Sequence, residues 1–152
     1  MMKNKYSRRH FIKQTTFTIL TAGSARTYAA NEKINIGIIG VFNRGKANLN
    51  GVKSENIAAL CDVDSNFLSA QSQHFPKANK YADFRRMIDS EKLDALVVSN
   101  PDHTHAVATS FGLHNNLHIY CEKPLTHTIS ECRTITNFCL LYTSPSPRDA
   151  LE

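Results

Sequence analysis

The chain has 152 residues, 41% of them hydrophobic, which suits one domain with a core of its own and excludes a disordered tail. Its formal charge of +5 suggests an acidic partner until the charges are located: six of the 18 basic residues lie in the first 30 positions, which hold no Asp or Glu. The other 12 basic residues stand against 13 acidic ones, with no basic run longer than Arg85 and Arg86, so nucleic-acid binding is not expected.

Along the chain, "SRRHFIK" (Ser7 to Lys13), the weakly apolar "FTILTAG" (Phe17 to Gly23) and the small Ala25, Ala29 and Ala30 have the layout of a signal peptide over residues 1–30. The paired Arg8 and Arg9 resemble a twin-arginine export signal. That implies the matching export machinery as a partner, a periplasmic destination, cleavage near Ala29 or Ala30, and a passenger that folds with its cofactor before crossing. The competing reading, a basic helix retained on the mature protein, suffers from poor alternation of apolar and polar residues. No stretch is long and apolar enough for a membrane span, so no membrane anchor is expected.

"KINIGIIG" (Lys33 to Gly40) is a β-branched apolar run ending in glycine, the pattern of a buried parallel strand, and a short helix from about Gly45 to Gly51 should follow. "NIAALCD" (Asn56 to Asp62) predicts another buried strand. "SNFLSAQSQHF" predicts a helix with Ser65 as N-cap and Pro76 as its stop, and Asp83 caps a further one. "LDALVVSN" (Leu93 to Asn100) is the most hydrophobic strand, closed by Pro101. A helix from about Thr104 to His114, the strand "LHIYCE" (Leu117 to Glu122) and a helix begun by "TISECRTITNF" complete the alternation. Strands that are continuous apolar runs between helices predict an α/β fold, a Rossmann-type doubly wound parallel sheet. The four cysteines form no C-x-x-C pair and sit in or beside apolar segments, which favours buried thiols over zinc or disulfides.

In such a sheet, ligands sit beyond the carboxyl ends of the strands. Gly40 and Gly45 match the first and third glycines of G-x-G-x-x-G, with Phe42 in place of the middle one and Asn43 and Arg44 completing a candidate cofactor loop. Asp62 lies 22 residues after Gly40 at the end of its strand, where an acid binds ribose hydroxyls; its carboxylate favours NAD over NADP by repelling a 2′-phosphate. The plainer alternative makes Asp62 a turn residue. In "SNPDHTH", His103 and His105 have a spacing a metal can use. No completing ligand set appears elsewhere, so no metal is expected and the loop, with Asn100 and Pro101, should line the nicotinamide end of a cleft. In "CEKP", Glu122 and Lys123 stand past a buried run: the ammonium either positions a substrate hydroxyl or belongs to a surface salt bridge.

Together "GIIGVFNRG", "ALCDVD", "SNPDHTH" and "YCEKPLTH" resemble, in order and spacing, the Gfo/Idh/MocA oxidoreductases over about Lys33 to Phe138, with Glu-Lys-Pro the most specific element. The resemblance implies a Rossmann dinucleotide-binding domain (33–138) followed by a larger C-terminal α/β domain, and hydride transfer between a nicotinamide cofactor and a sugar or cyclitol. It implies Lys123 as the catalytic lysine near nicotinamide and substrate, Pro124 shaping the bend, and His103 and His105 bordering the cofactor pocket. It leaves a homo-oligomeric parent open. One branch of the family cleaves glycosides by transient NAD-dependent oxidation, the alternative chemistry. Phe42 departs from the family's small residue; its side chain must point away or push the phosphates outward, and cofactor affinity should suffer.

After Phe138 the helical pattern is expected to stop at "CLLYTSPSPRDALE" (139–152), where Pro145 and Pro147 intervene. "CLLYTSPSPRD" is what the transposase adapter of sequencing libraries encodes, so residues 139–152 are expected to be a non-native tail on a truncated gene, with the second domain missing. On that expectation the chain is a cofactor-binding module with no catalysis of its own.

Overall fold

A computed structural model describes residues 33–142; the expected signal peptide and most of the expected tail lie outside the described residues. Five strands, β1 (Asn35–Ile39), β2 (Asn56–Cys61), β3 (Asn79–Tyr81), β4 (Ala95–Val98) and β5 (His118–Cys121), form one sheet in the order β3-β2-β1-β4-β5. Every neighbouring pair is parallel. The helices are α1 (Arg44–Gly51), α2 (Ser65–Ser72), α3 (Phe84–Ser90), α4 (His105–His114) and α5 (Ile129–Tyr142), with a 3-10 turn at Asp102–Thr104 leading into α4. The chain starts at the middle strand, winds outward to β3, then returns to lay β4 on the other side of β1. This is the doubly wound arrangement expected from the sequence, and its switch point lies between the ends of β1 and β4.

The two faces of the sheet carry separate cores. Ile36, Ile38, Ile57, Leu60 and Val97 pack with Leu49 of α1 and Leu68 of α2. Ile39, Ala59, Cys61, Leu96 and Val98 pack with Met87 and Ile88 of α3 and Ala108 of α4. Alternate residues of one strand thus enter opposite cores, which is why the central strands read as unbroken apolar runs. The register slips between Ile36 and Gly37, because Ile36 pairs with Ile57 while Gly37 pairs with Ala59. The extra residue, Ala58, is a bulge that an all-apolar run does not announce.

Three local expectations are corrected. Asp64, not Ser65, caps α2: its extended backbone lets the carboxylate accept from the Asn66 and Phe67 amides at 2.8 and 3.4 Å. Helix α5 continues past Phe138 to Tyr142, so the helical pattern does not stop at Cys139. It opens with a capping box in which Thr128 Oγ1 accepts from the Glu131 amide and Glu131 Oε2 from that of Thr128. The third concerns the thiols: Cys61 is buried and Cys121 half-buried, but Cys132 is exposed on α5. Strand β3, unforeseen, is a short polar edge strand paired with Ala59–Cys61.

Burial, then the charges of Asp62 and Asp83, pushes the Cys61 thiol up to about 12. At about pH 8 such a thiol is ionised to only about one part in ten thousand, and the thiolate is the nucleophile. Brief iodoacetamide treatment of the native chain, read by peptide mass mapping, should label Cys132 and spare Cys61 until denaturant is added. Equal labelling of the two would contradict the burial of β2.

Candidate dinucleotide site

The end of β1 presses against the end of β4. Gly40 sits at φ 83°, and a Cβ there would lie 2.6 Å from the Ser99 carbonyl oxygen and 2.7 Å from the Asn100 nitrogen. At Gly45 a Cβ would run into the carbonyl oxygen of Gly40, so the first turn of α1 rests directly on the end of β1. Between the two glycines Val41 is buried, and the Gly45 amide donates to the Phe42 carbonyl at 2.9 Å. Asn43, at φ 47° and ψ −111°, forms the first corner of that turn, a conformation glycine takes most easily. The backbone amides of Phe42, Asn43 and Arg44 have no hydrogen-bond acceptor among the described residues. Three N–H groups without an acceptor among the described residues, at the start of a helix, suit an anion such as a pyrophosphate.

Phe42 does point away from this cradle. Its ring stacks on Phe67 of α2, with centroids 3.8 Å apart and planes within 3°, while the residue stays 46% exposed. Asp62, at the end of β2, is half-buried and holds the loop from the other side. Its Oδ2 accepts from the Val41 amide at 2.9 Å and its Oδ1 from the Asp64 amide at 3.0 Å. Each carboxylate oxygen takes more than one donor, so both can also serve a ligand hydroxyl.

Beyond β4 and β5 the side chains bind one another. Glu122 Oε2 accepts from Arg44 Nε at 2.9 Å and from Asn48 Nδ2 at 2.9 Å; Asn48 Nδ2 also lies 2.8 Å from Ser99 Oγ. Arg44 and Asn48 are one turn apart on α1 and reach the carboxylate together. The hydrogen bond from Asn48, then that from Arg44, holds the Glu122 carboxyl down to about 2, and the same partner raises Arg44. The surface salt bridge weighed for Glu122 is therefore present, and Lys123 is not in it: the exposed ammonium makes no hydrogen bond or ion pair among the described residues. The Lys123–Pro124 peptide is cis.

Asn100 donates from Nδ2 to Thr104 Oγ1 at 2.7 Å, which leaves Asn100 Oδ1 buried without a partner among the described residues. Thr104 in turn bonds the carbonyl of Pro101, the exposed residue that opens the 3-10 turn. His103 is exposed beside Asp102. His105, expected at the pocket border, is only 2% exposed, with its ring between the carbonyls of Asn100 and Pro124. Among the described residues no three His, Cys, Asp or Glu side chains converge as metal ligands. Sequence reasoning missed Asn48, Ser99, Thr104 and Phe67. The spacing of Asn48 four residues after Arg44 was a usable signal; the partnership of Phe67 with Phe42 left none.

The fold and its glycine-tight loop at the switch point define a dinucleotide-binding α/β domain. Residues 34–140 match the model of the oxidoreductase family with NAD-binding Rossmann fold, GFO_IDH_MocA, and the chain belongs to that family. It is 24% identical over 107 residues to an inositol 2-dehydrogenase of Salmonella typhimurium, covering 67% of this chain and 32% of that protein. It is 26% identical over 121 residues to a glycosyl hydrolase family 109 protein of Shewanella pealeana, covering 70% and 26%. Among solved structures, scyllo-inositol dehydrogenase from Lactobacillus casei with bound NAD(H) and scyllo-inositol superposes with a TM-score of 0.69 at 20% identity, over 73% of this chain and 34% of that one. The chain thus spans about a third of the length of these dehydrogenases.

Because the Glu122 carboxyl lies below its ordinary value of 4.5 in the folded state, its contribution to stability is present above about pH 4.5 and is lost as pH falls toward about 2. Urea midpoints measured across that window should fall less steeply for Glu122→Gln than for the unaltered chain. Parallel curves would mean that Glu122 does not bind α1 to the end of β5.

Proposed function

We propose that this chain is the cofactor-binding part of an exported NAD-dependent oxidoreductase acting on a sugar or cyclitol. The observation that carries the reading is the loop from Gly40 to Gly45, in which two glycines with no room for a Cβ flank three amides that have no acceptor among the described residues. These groups fit a dinucleotide: the Phe42, Asn43 and Arg44 amides would hold the pyrophosphate, Asp62 the adenosine ribose, and the segments after β4 and β5 the nicotinamide end. Asp62 and Lys123 follow β2 and β5, three strand spacings apart, roughly 14 Å, so the long axis of the ligand would cross the strand ends. A nicotinamide bound there supplies the hydride acceptor. Lys123, with its ammonium uncommitted, would orient the substrate hydroxyl, while Glu122, neutralised by Arg44, spares the site a bare carboxylate.

The match to inositol dehydrogenases supports a polyhydroxylated substrate, and the family 109 match keeps an NAD-dependent glycosidase as the second reading. Export is supported by Arg8 and Arg9 in an opening segment without acidic residues.

Calorimetric titration should show NAD binding more tightly than NADP. Asp62→Ala should weaken NAD by about 1–3 kcal/mol and NADP by less, since the lost hydrogen bonds serve ribose hydroxyls. The ratio of the two is the informative quantity, because damage to the Val41 contact would weaken both alike. Tighter binding of NADP by the unaltered chain would sink the assignment.

For export, a reporter fused after residue 32 should reach the periplasm, and changing Arg8 and Arg9 together to Lys should leave it in the cytoplasm. Undiminished delivery by that variant refutes the twin-arginine reading.

A further inference from the structure

His105 opens α4, yet its side chain is 2% exposed and both ring nitrogens end on backbone carbonyls. Nδ1 lies 2.6 Å from the Pro124 oxygen and Nε2 lies 2.7 Å from the Asn100 oxygen. A carbonyl oxygen only accepts, so each contact requires an N–H on the ring. Neutral imidazole has one; its other nitrogen would turn a lone pair against an oxygen lone pair at this distance. A ring carrying both protons would satisfy both contacts.

The two carbonyls belong to the segments that leave β4 and β5, the segments that carry Asn100 and Lys123. The charged groups of the surrounding elements are engaged elsewhere or exposed. Asp102 takes the His103 amide, Glu122 takes Arg44 and Asn48, Glu131 takes the His127 and Thr128 amides, and Lys123 is exposed. The other titratable groups on the packed elements include Arg133 and Cys132 of α5, Arg85, Arg86 and Asp89 of α3, His118, Tyr120 and Cys121 of β5, and His114 at the far end of α4; none of these bonds the ring.

We propose that His105 is a two-proton clamp: the doubly protonated ring ties the segment after β4 to the segment after β5, making His105 a positioning residue for Lys123, and loss of one ring proton releases one of the two segments. The role of Lys123 rests on the function proposed above; the clamp itself is a property of the cofactor-free chain and is tested there.

The experiment is a pH titration of the cofactor-free chain by nitrogen-15 NMR, following the histidine ring nitrogens together with the backbone amides of 100–105 and 122–126. In the clamped state His105 should show two ring N–H protons that exchange slowly with solvent. As the ring loses a proton, those loop amides should shift in step with it while amides of β2 stay still. Protection of the Thr104 and Glu122 amides, which donate to the Pro101 and Val98 carbonyls, corrected for the intrinsic rise of exchange with pH, should drop about tenfold or more. His105→Ala should show the released state at every pH, and His103→Ala should behave as the unaltered chain. One ring N–H with both loops still ordered, or loop amides indifferent to the His105 titration, overturns the clamp. If His105→Ala does not fold, the titration of the unaltered chain decides alone. Since no cofactor is present, failure here leaves the NAD reading standing, and failure of NAD binding leaves the clamp standing.

Discussion

The contact on which the site depends is the one between Gly45 and the carbonyl of Gly40. Any side chain at position 45 would lift α1 off the end of β1. With the helix seated there, Arg44 and Asn48 come within reach of a carboxylate two strands away. Gly40 makes the companion contact on β4, so three elements converge with no space between their backbones. The backbone supplies the closeness, and the side chains fasten it: Asp62 from the β2 side through Val41, Glu122 from the β5 side through Asn48.

This arrangement divides the strand ends into two regions of different character. On the β2 side, Asp62 holds backbone amides and retains acceptor capacity. On the β5 side, Glu122 Oε2 takes two side-chain donors, and Lys123 is exposed with no side-chain partner among the described residues. A ligand crossing from one region to the other meets an acceptor at one end, donors without a partner among the described residues in the middle and an ammonium at the other. That sequence matches hydroxyls, an anion and a polarisable oxygen in turn.

What the sequence made legible followed from burial. The runs at β1, β2 and β4 are continuous because each strand feeds two cores, and the ends of those runs mark where a site belongs. Gly40, Gly45 and Asp62 were readable because tight backbone contact and loop anchoring demand those residue types at that spacing. What escaped were arrangements settled in three dimensions. β3 is three mostly polar residues held by one neighbour. The bulge at Ala58 replaces one small apolar residue by another in an apolar run. Asp64 and Ser65 are both good N-caps, and backbone geometry chose between them. His105 beside His103 suggested a paired role, but one is buried between two carbonyls and the other faces water.

The stack of Phe42 on Phe67 bears on how this loop can change over generations. Each ring covers a face of the other, so neither position is free to vary by itself. Reverting Phe42 to glycine would relax the loop but bare the apolar face of Phe67 beside the mouth of the crevice, while losing Phe67 would leave an already half-exposed Phe42 without support. A substitution at position 42 or 67, which are separated by a helix and a strand, therefore carries a cost set by the residue at the other.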